Sequence, residues 1–432
     1  MMISANQFKE AVMTKKNLFY AQSGGPTAVI NTTACAVIQT AKQYPNEIGT
    51  VFAGQNGIMG ALNEELIDTY AETDQNIEAL QYMPASAFGS CRFKLKSLTE
   101  DEHYYRRLIE VFAAHDIGYF FYNGGGDSQD TTYKISQMSE QMGYPLICLG
   151  LPKTIDNDLA FTDCCPGFGS TAKYIATSIR EASMDVAAMA KTSTKVFVME
   201  VMGRHAGWIA AAGGLAQRDA NYAPQIILFP EIPFAADRFY AKLKRTVETC
   251  GYCSIVVSEG IKNPAGQFMS DSGAVDAFGH HQLGGVAPII SQLIKQSLGY
   301  KCHWAVSDYL QRCARHIASD TDAKHAYAIG KTAVEYAIGG KNNIMVTIER
   351  QSTTPYQWTV GEAPIAEVAN KEKKMPREFI SEDGFGITAS ARAYLQPLIQ
   401  GEAFPPFENG LPKYPQLKKV LATKKCPETC SV

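Results

Sequence analysis

Residues 152–158, Pro-Lys-Thr-Ile-Asp-Asn-Asp, set a lysine, a hydroxyl and two carboxylates side by side. A carboxylate held near a cation can take the proton of an attacking hydroxyl while the cation steadies a phosphoryl group. Asp156 and Asp158 could also help hold Mg2+, which prefers oxygen ligands and phosphates. Asp-Asn-Asp makes an Asx-rich turn just as readily, so residue type alone leaves both readings open. Two glycine-rich stretches join this one. Gln22-Ser23-Gly24-Gly25-Pro26-Thr27 sets bare backbone ahead of an expected helix start at Pro26, a place for phosphate. A plain strand-to-helix turn fits it equally well. Gly124-Gly125-Gly126-Asp127-Ser128 repeats the arrangement, and its simpler reading is a tight turn capped by Asp127 or Ser128. It has neither the Gly-Lys-Ser/Thr of a Walker loop nor a good dinucleotide fingerprint.

The elements around these loops alternate. Apolar runs at 17–22, 117–122 and 145–151 read as buried strands, each ending at one of the three loops. Helices are expected from Pro26 to about Gln43 and from the second loop to Gln141, where Gly143 closes it. Ala172, Ile175, Ala176, Ile179, Ala182 and Val186 share one helical face. Strands at 195–202, 225–229 and 253–257 and a Gly/Ala-rich helix from Gly207 continue the pattern. Beyond about Gln351 no period is sustained. Ligands of open α/β sheets bind at the carboxyl ends of the strands, where all three loops fall. The expected architecture is two doubly wound α/β domains, residues 1–165 with about 311–350 and residues 166–310, plus a C-terminal extension over 351–432.

Composition bounds the function. The 432 residues are 46% hydrophobic and 19% charged, which excludes a disordered or fibrous chain. With 40 basic and 43 acidic residues the net charge is −3, so nothing asks for nucleic acid or an anionic membrane. No apolar run approaches the ~20 residues that span a bilayer. The first residues lack an apolar signal core, so a cytoplasmic location is expected. Eleven cysteines, an odd number, read as reduced thiols. Cys250 and Cys253 have redox spacing but no second pair follows, and Cys426 and Cys430 read as exposed bystanders in a Lys-rich tail.

The loops and the segments between them closely resemble the phosphofructokinase superfamily, and within it the pyrophosphate-dependent branch. The resemblance runs in order from Ser23-Gly24-Gly25 to about Gly340. It includes Gly89-Ser90-Cys91-Arg92-Phe93, residues 124–130 and 152–158, and Gly167-Phe168-Gly169-Ser170-Thr171-Ala172. Met202-Gly203-Arg204-His205-Ala206-Gly207-Trp208, Ser258-Glu259-Gly260 and Leu310-Gln311-Arg312 complete it. It implies Rossmann-like domains with the active site in the cleft between them, in a homodimer or homotetramer that shares its sites between subunits. The implied reaction is reversible, Mg2+-dependent transfer from pyrophosphate to the 1-hydroxyl of fructose 6-phosphate. Asp156 would be the base, with Thr154 and Asp158 orienting that hydroxyl and the metal-bound phosphates. Met202, Gly203 and Arg204 would hold the sugar phosphate, Glu259 its hydroxyls, and Arg312, near Tyr309, the 6-phosphate, for which a guanidinium fork is suited. Arg92 would face the transferred phosphoryl group. Gly24, Gly25, Gly125 and Gly126 would cradle the donor.

The resemblance also points to the donor. Nucleotide-using members carry glycine where this chain has Asp127 and Lys153. Asp127 would stand where an α-phosphate must lie; like charges ~4 Å apart cost about 4 kcal/mol at a surface-like dielectric, enough to exclude a nucleotide about a thousandfold. Lys153 would bind the departing phosphate. An ATP-dependent enzyme and a non-catalytic regulatory subunit are the alternatives. A dinucleotide oxidoreductase needs an acidic ribose reader that the sequence lacks.

Three positions depart from the family pattern. Gly126 stands where a metal-binding aspartate or asparagine is common, leaving Asp127 and Asp156 to carry the metal. His303 stands where relatives place a cross-subunit arginine, and histidine in place of a permanent cation weakens that contact. Lys195 replaces a second such arginine. Elsewhere His205 and Trp208 read as packing residues, and His280 and His281 as loop residues. Lys371-Glu372-Lys373-Lys374 reads as a solvated face, with a lesser reading in which part of it, with Arg377, meets substrate phosphate.

Overall fold

The computed structural model describes residues 15–219, 222–270 and 283–427. Apolar runs pair in parallel when both faces will be covered. The strands of the two main sheets are β1 (Lys16–Gln22), β2 (Ile48–Gly54), β3 (Leu66–Asp68), β4 (Ile117–Gly124) and β5 (Ile147–Pro152), then β6 (Val196–Val201), β7 (Ile226–Leu228), β8 (Cys253–Ser258) and β9 (Cys302–Val306), and finally β10 (Ile344–Thr353) and β11 (Tyr356–Pro364). They form a seven-stranded sheet in the order β11-β10-β5-β4-β1-β2-β3 and a four-stranded parallel sheet in the order β7-β8-β6-β9. Residues 356–364, which the sequence leaves in an extension without pattern, are an edge strand of the first sheet. They pair antiparallel with β10 through Val346↔Glu362 and Ile348↔Val360. The signal was weak because β11 is mostly exposed or half-exposed and carries Gly361 and Glu362 within it.

Register brings the loops together. Gln22 lies beside Asn123, and Gly124 beside Pro152, so β1, β4 and β5 end level with one another. In the second sheet Val201 lies beside Ser258 and Glu200 beside Val306.

The longer helices are α1 (Ile30–Ala41), α2 (Glu102–Ala114), α3 (Gly126–Gln141), α4 (Phe168–Met189), α5 (Ala236–Cys250), α6 (Val286–Leu298) and α7 (Asp320–Ile338). Helix α1 starts at Ile30, not Pro26: Pro26 and Thr27 are irregular and residues 28–29 form a turn. Thr27 packs against Gly167, where a Cβ would stand 2.3 Å from the Thr27 methyl. α1 crosses α7 closely: a Cβ on Gly330 would lie 2.4 Å from the Thr33 carbonyl oxygen, and Thr33 Oγ1 donates to the Ala326 carbonyl at 3.0 Å.

Aromatic packing holds one face of the first sheet, with the Phe19 ring 5.3 Å from Phe112 and 5.8 Å from Phe120. Truncating such a ring to alanine costs about 3–5 kcal/mol. Phe168, Ile175 and Ile179 of α4 share a core with Leu149 of β5 and with Met199 and Val201 of β6. The two sheets are thus joined through one apolar cluster, which fixes their relative position. Among the described residues no helix is long and apolar enough to cross a membrane.

Candidate active site

The level strand ends open onto a cleft of about 390 Å³. From the first sheet it is lined by Gly24, Gly25, Arg92, Gly125, Gly126, Asp127 and the loop from Lys153 through Asp158. From the second sheet come Met202, Gly203, Arg204, Glu259, Tyr309 and Arg312.

On the donor side Gly24 adopts a φ of +70°, a left-handed conformation that favours glycine. Ser90 Oγ donates to the Gly24 carbonyl at 2.7 Å, and the Gly24 N–H to the Cys91 carbonyl at 3.1 Å. This splint delivers Arg92 to the cleft. Lys153 is buried, and its Nζ donates to the Gly25 carbonyl at 2.7 Å. Arg312 lies against the same glycine: a Cβ on Gly25 would stand 2.6 Å from its Nη1, so a side chain there would push the guanidinium aside. α3 begins at Gly126 with Gly125 as its cap, not Asp127 or Ser128, and without a side chain on the first turn's N–H groups. That helix end, lining the cleft, is a natural anion site. The helix start expected at Pro26 lies several residues further on, so the first glycine loop contributes backbone rather than a helix terminus.

The acid loop is braced from below. Asn157 has a φ of +55° and is fully buried. Its Oδ1 accepts from the Cys165 N–H at 3.0 Å and its Nδ2 donates to Tyr394 Oη at 3.0 Å. Lys373 Nζ donates to Asn157 Oδ1 at 3.2 Å and to the carbonyls of Thr162 and Asp163 at 3.1 and 2.8 Å. Lys373 is therefore no part of a solvated face. Above this base the Asp156 N–H is held by Thr154 Oγ1 at 3.0 Å.

Burial dominates the electrostatics. It pushes the Asp156 carboxyl up, Glu259 adding to the rise and Arg204 and Lys153 opposing it. Burial and then Asp156 push Asp158 up, and burial pushes Glu259 up to about 7. Lys153 is pushed down to about 7, first by burial and then by Arg312. Proton affinities of the carboxylates and the lysine converge near neutrality, the pattern expected where a proton must be exchanged.

Residues 17–337 match the phosphofructokinase family. The chain belongs to that family. Phosphofructokinase relatives similar over nearly their whole length include the pyrophosphate–fructose 6-phosphate 1-phosphotransferase of Methylococcus capsulatus. It is 61% identical over 97% of this chain and 100% of its own. The enzyme of the same name from Halomonas elongata is 61% identical over 96% and 99%. Among solved structures, the pyrophosphate-dependent phosphofructokinase of Nitrosospira multiformis is 57% identical and superposes with a TM-score of 0.90, covering 96% of this chain and 100% of that one. The two-domain α/β class expected from the sequence is that of these phosphofructokinases.

Two expected phosphofructokinase residues lie elsewhere. Lys195 stands just before β6 and donates to the Ala190 carbonyl, while His303 is exposed on β9, the edge strand of the second sheet. Neither lines this chain's own cleft. One residue went unforeseen: Lys94, whose Nζ lies 2.7 Å from Asp127 Oδ1. It offsets part of the negative charge counted against a nucleotide, so the thousandfold exclusion is an upper limit. Lys94 lies only two residues beyond Arg92, but nothing in that spacing names Asp127 as its partner. Cys426 is no bystander either, since its N–H and that of Lys425 donate to the buried Glu64 carboxylate at 3.1 and 2.5 Å. The ten described cysteines form no disulfide with one another; Cys430 and the pair His280 and His281 lie outside the described residues.

Proposed function

We propose that this phosphofructokinase transfers a phosphoryl group reversibly from inorganic pyrophosphate to the 1-hydroxyl of fructose 6-phosphate, giving fructose 1,6-bisphosphate and phosphate. The observation that carries the donor assignment is Lys153, a buried ammonium wedged between the first glycine loop and the acid loop. It occupies space beside Gly24 and Gly25 and offers charge to a short, highly anionic donor. Asp127, pinned by Lys94 at the start of α3, crowds the path a nucleoside would need. The relatives at 57–61% identity carry names that specify pyrophosphate.

In this reading Asp156 takes the proton of the sugar hydroxyl as it attacks phosphorus, and its raised proton affinity suits it to that role. Thr154 and Asp158 hold the hydroxyl in line. Arg92 and Lys153 meet the charge on the transferred and departing phosphates. Met202, Gly203, Arg204, Glu259, Tyr309 and Arg312 hold the sugar phosphate. The first sheet with its helices, residues up to about 165 and about 311–364, supplies the donor half, and residues 166–310 the sugar half, with Arg312 joining the sugar half from just after β9.

Mg2+ fits the cleft as a passenger of the diphosphate. Among the described residues no three His, Cys, Asp or Glu side chains gather as a metal site, and a side chain at Gly126 would meet open space. Asp127 and Asp156 would hold the ion with phosphate oxygens and water completing its shell. When bound, it neutralises charge on the donor.

The working unit is proposed to be a homo-oligomer. β9 is an unpaired edge among the described strands, with Trp304 47% exposed and Tyr309 60% exposed beside the cleft. A second copy covering that edge would receive Lys195 and His303 toward its sugar phosphate.

Coupled assays with each donor test the assignment. Turnover with pyrophosphate and none with ATP supports it; equal turnover with ATP overturns it. Asp127→Gly with Lys153→Gly should weaken pyrophosphate use at least tenfold, and unchanged pyrophosphate kinetics in that pair would refute the donor argument.

A further inference from the structure

The segment 371–375 enters the cleft from beyond both sheets. Its backbone is tied to the two halves at once. The Lys373 N–H donates to the Asp158 carbonyl at 2.6 Å, and Trp208 Nε1 donates to the Lys373 carbonyl at 3.2 Å. Leu159 and Glu372 form a β-bridge, and Met375 is buried in the shared core. Successive side chains of an extended segment point to opposite sides. Lys373 turns under the acid loop and Met375 into the core, so the residue between them must face outward. Lys374 does, lining the cleft. Its neighbour's ammonium is spent on carbonyl oxygens, yet no hydrogen bond or ion pair to a described residue engages that of Lys374. A fixed backbone holding an unspent cation over a phosphate-binding cleft is an arrangement for an anionic ligand.

The tether to Trp208 points to the ligand. Trp208, which holds the Lys373 carbonyl, lies two residues beyond the loop from Met202 to Ala206, and Lys374 lines the same cleft as that loop. The glycine loops and Lys153 enter from the ends of β1, β4 and β5 instead. We infer that Lys374 is a further specificity residue, contacting a phosphate of the sugar substrate, so that the segment after β11 helps select a phosphorylated sugar. The inference rests on the function proposed above.

Steady-state kinetics of Lys374→Met in both directions, with calorimetric binding of fructose 6-phosphate, test it. The expected result is a rise of about tenfold in KM and Kd for fructose 6-phosphate, the loss of one charge-assisted contact. KM for pyrophosphate should stay within about twofold, and Lys374→Arg should restore most of the sugar affinity. A side chain that merely supports the fold would not be rescued in affinity alone. Unchanged sugar affinity in Lys374→Met, or a loss confined to pyrophosphate, would overturn the inference while leaving the reaction itself standing. Failure of the unaltered protein to use these two substrates would instead sink the underlying reading.

Discussion

Lys153, which is buried, and Asp156 and Glu259, which are half-buried at the cleft wall, govern the cleft, and desolvation shifts the proton affinity of all three. Asp156→Asn keeps the shape and removes the proposed base; turnover is expected to fall by at least a thousandfold with fructose 6-phosphate binding changed less than threefold. A mild effect on kcat would remove Asp156 from the base role. The pH profile follows from the directions of shift. Burial raises the Asp156 carboxyl, so its basic form is lost as pH falls, and kcat/KM should decline on the acid side at higher pH than an exposed aspartate would give. Burial lowers Lys153 to about 7, so its charge is present below that pH and fades above it. Pyrophosphate binding to the free enzyme should weaken above about pH 7 and take up a proton. Calorimetry in buffers of different ionisation enthalpy reads that uptake, and a proton count of zero at pH 8 would contradict the lysine's assignment. Residues 153–158 offered the chemistry of Lys153 and Asp156 beside a plain Asx-rich turn, and the resemblance, not residue type, singled them out together with Glu259. The Lys94–Asp127 pair was legible in neither, because the partners come from different segments and meet only when residues 90–97 fold over α3.

Among the elements, the acid loop works because another segment braces it. Asn157 faces Cys165, Tyr394 and Lys373, three residues far apart in the chain, and all three are satisfied through one buried amide. Asn157→Ala leaves a buried N–H and an ammonium short of an acceptor. The expected loss is about 2–3 kcal/mol in urea unfolding, with kcat falling as Asp156 loses its position. Stability within 0.5 kcal/mol of the parent, a rough limit for a surface change, would show that the brace is dispensable. The sequence left an Asx-rich turn open as one reading here; the φ of +55° at Asn157 makes a tight turn, but the local side-chain bond is made by Thr154, and Asn157 reaches Cys165, Tyr394 and Lys373 instead. Likewise the Lys-rich run near 373 looked solvated: charge runs usually are, and only tertiary contacts turned one member inward. β11 was hidden because an edge strand facing water on most of its residues carries little apolar period.

At the scale of the molecule, the exposed edge of the second sheet sets the last prediction. Trp304→Asp places a charge on that edge without touching the buried core. On the proposed homo-oligomer, sedimentation should show a shift toward the single chain, with KM for fructose 6-phosphate rising as the contacts proposed for Lys195 and His303 are lost. An unchanged assembly would exclude this edge as the interface. The alternation of strands and helices, the loops at strand ends and the residue types within them were set by local sequence, because strand period, glycine turns and helix stops act over a few residues. Tertiary structure alone decided which charges are buried, which lysine is spent on carbonyls and which lines the cleft, and how β10 and β11 return to the first sheet. Those outcomes depend on desolvation and on contacts between segments far apart in the chain, and no local pattern encodes either.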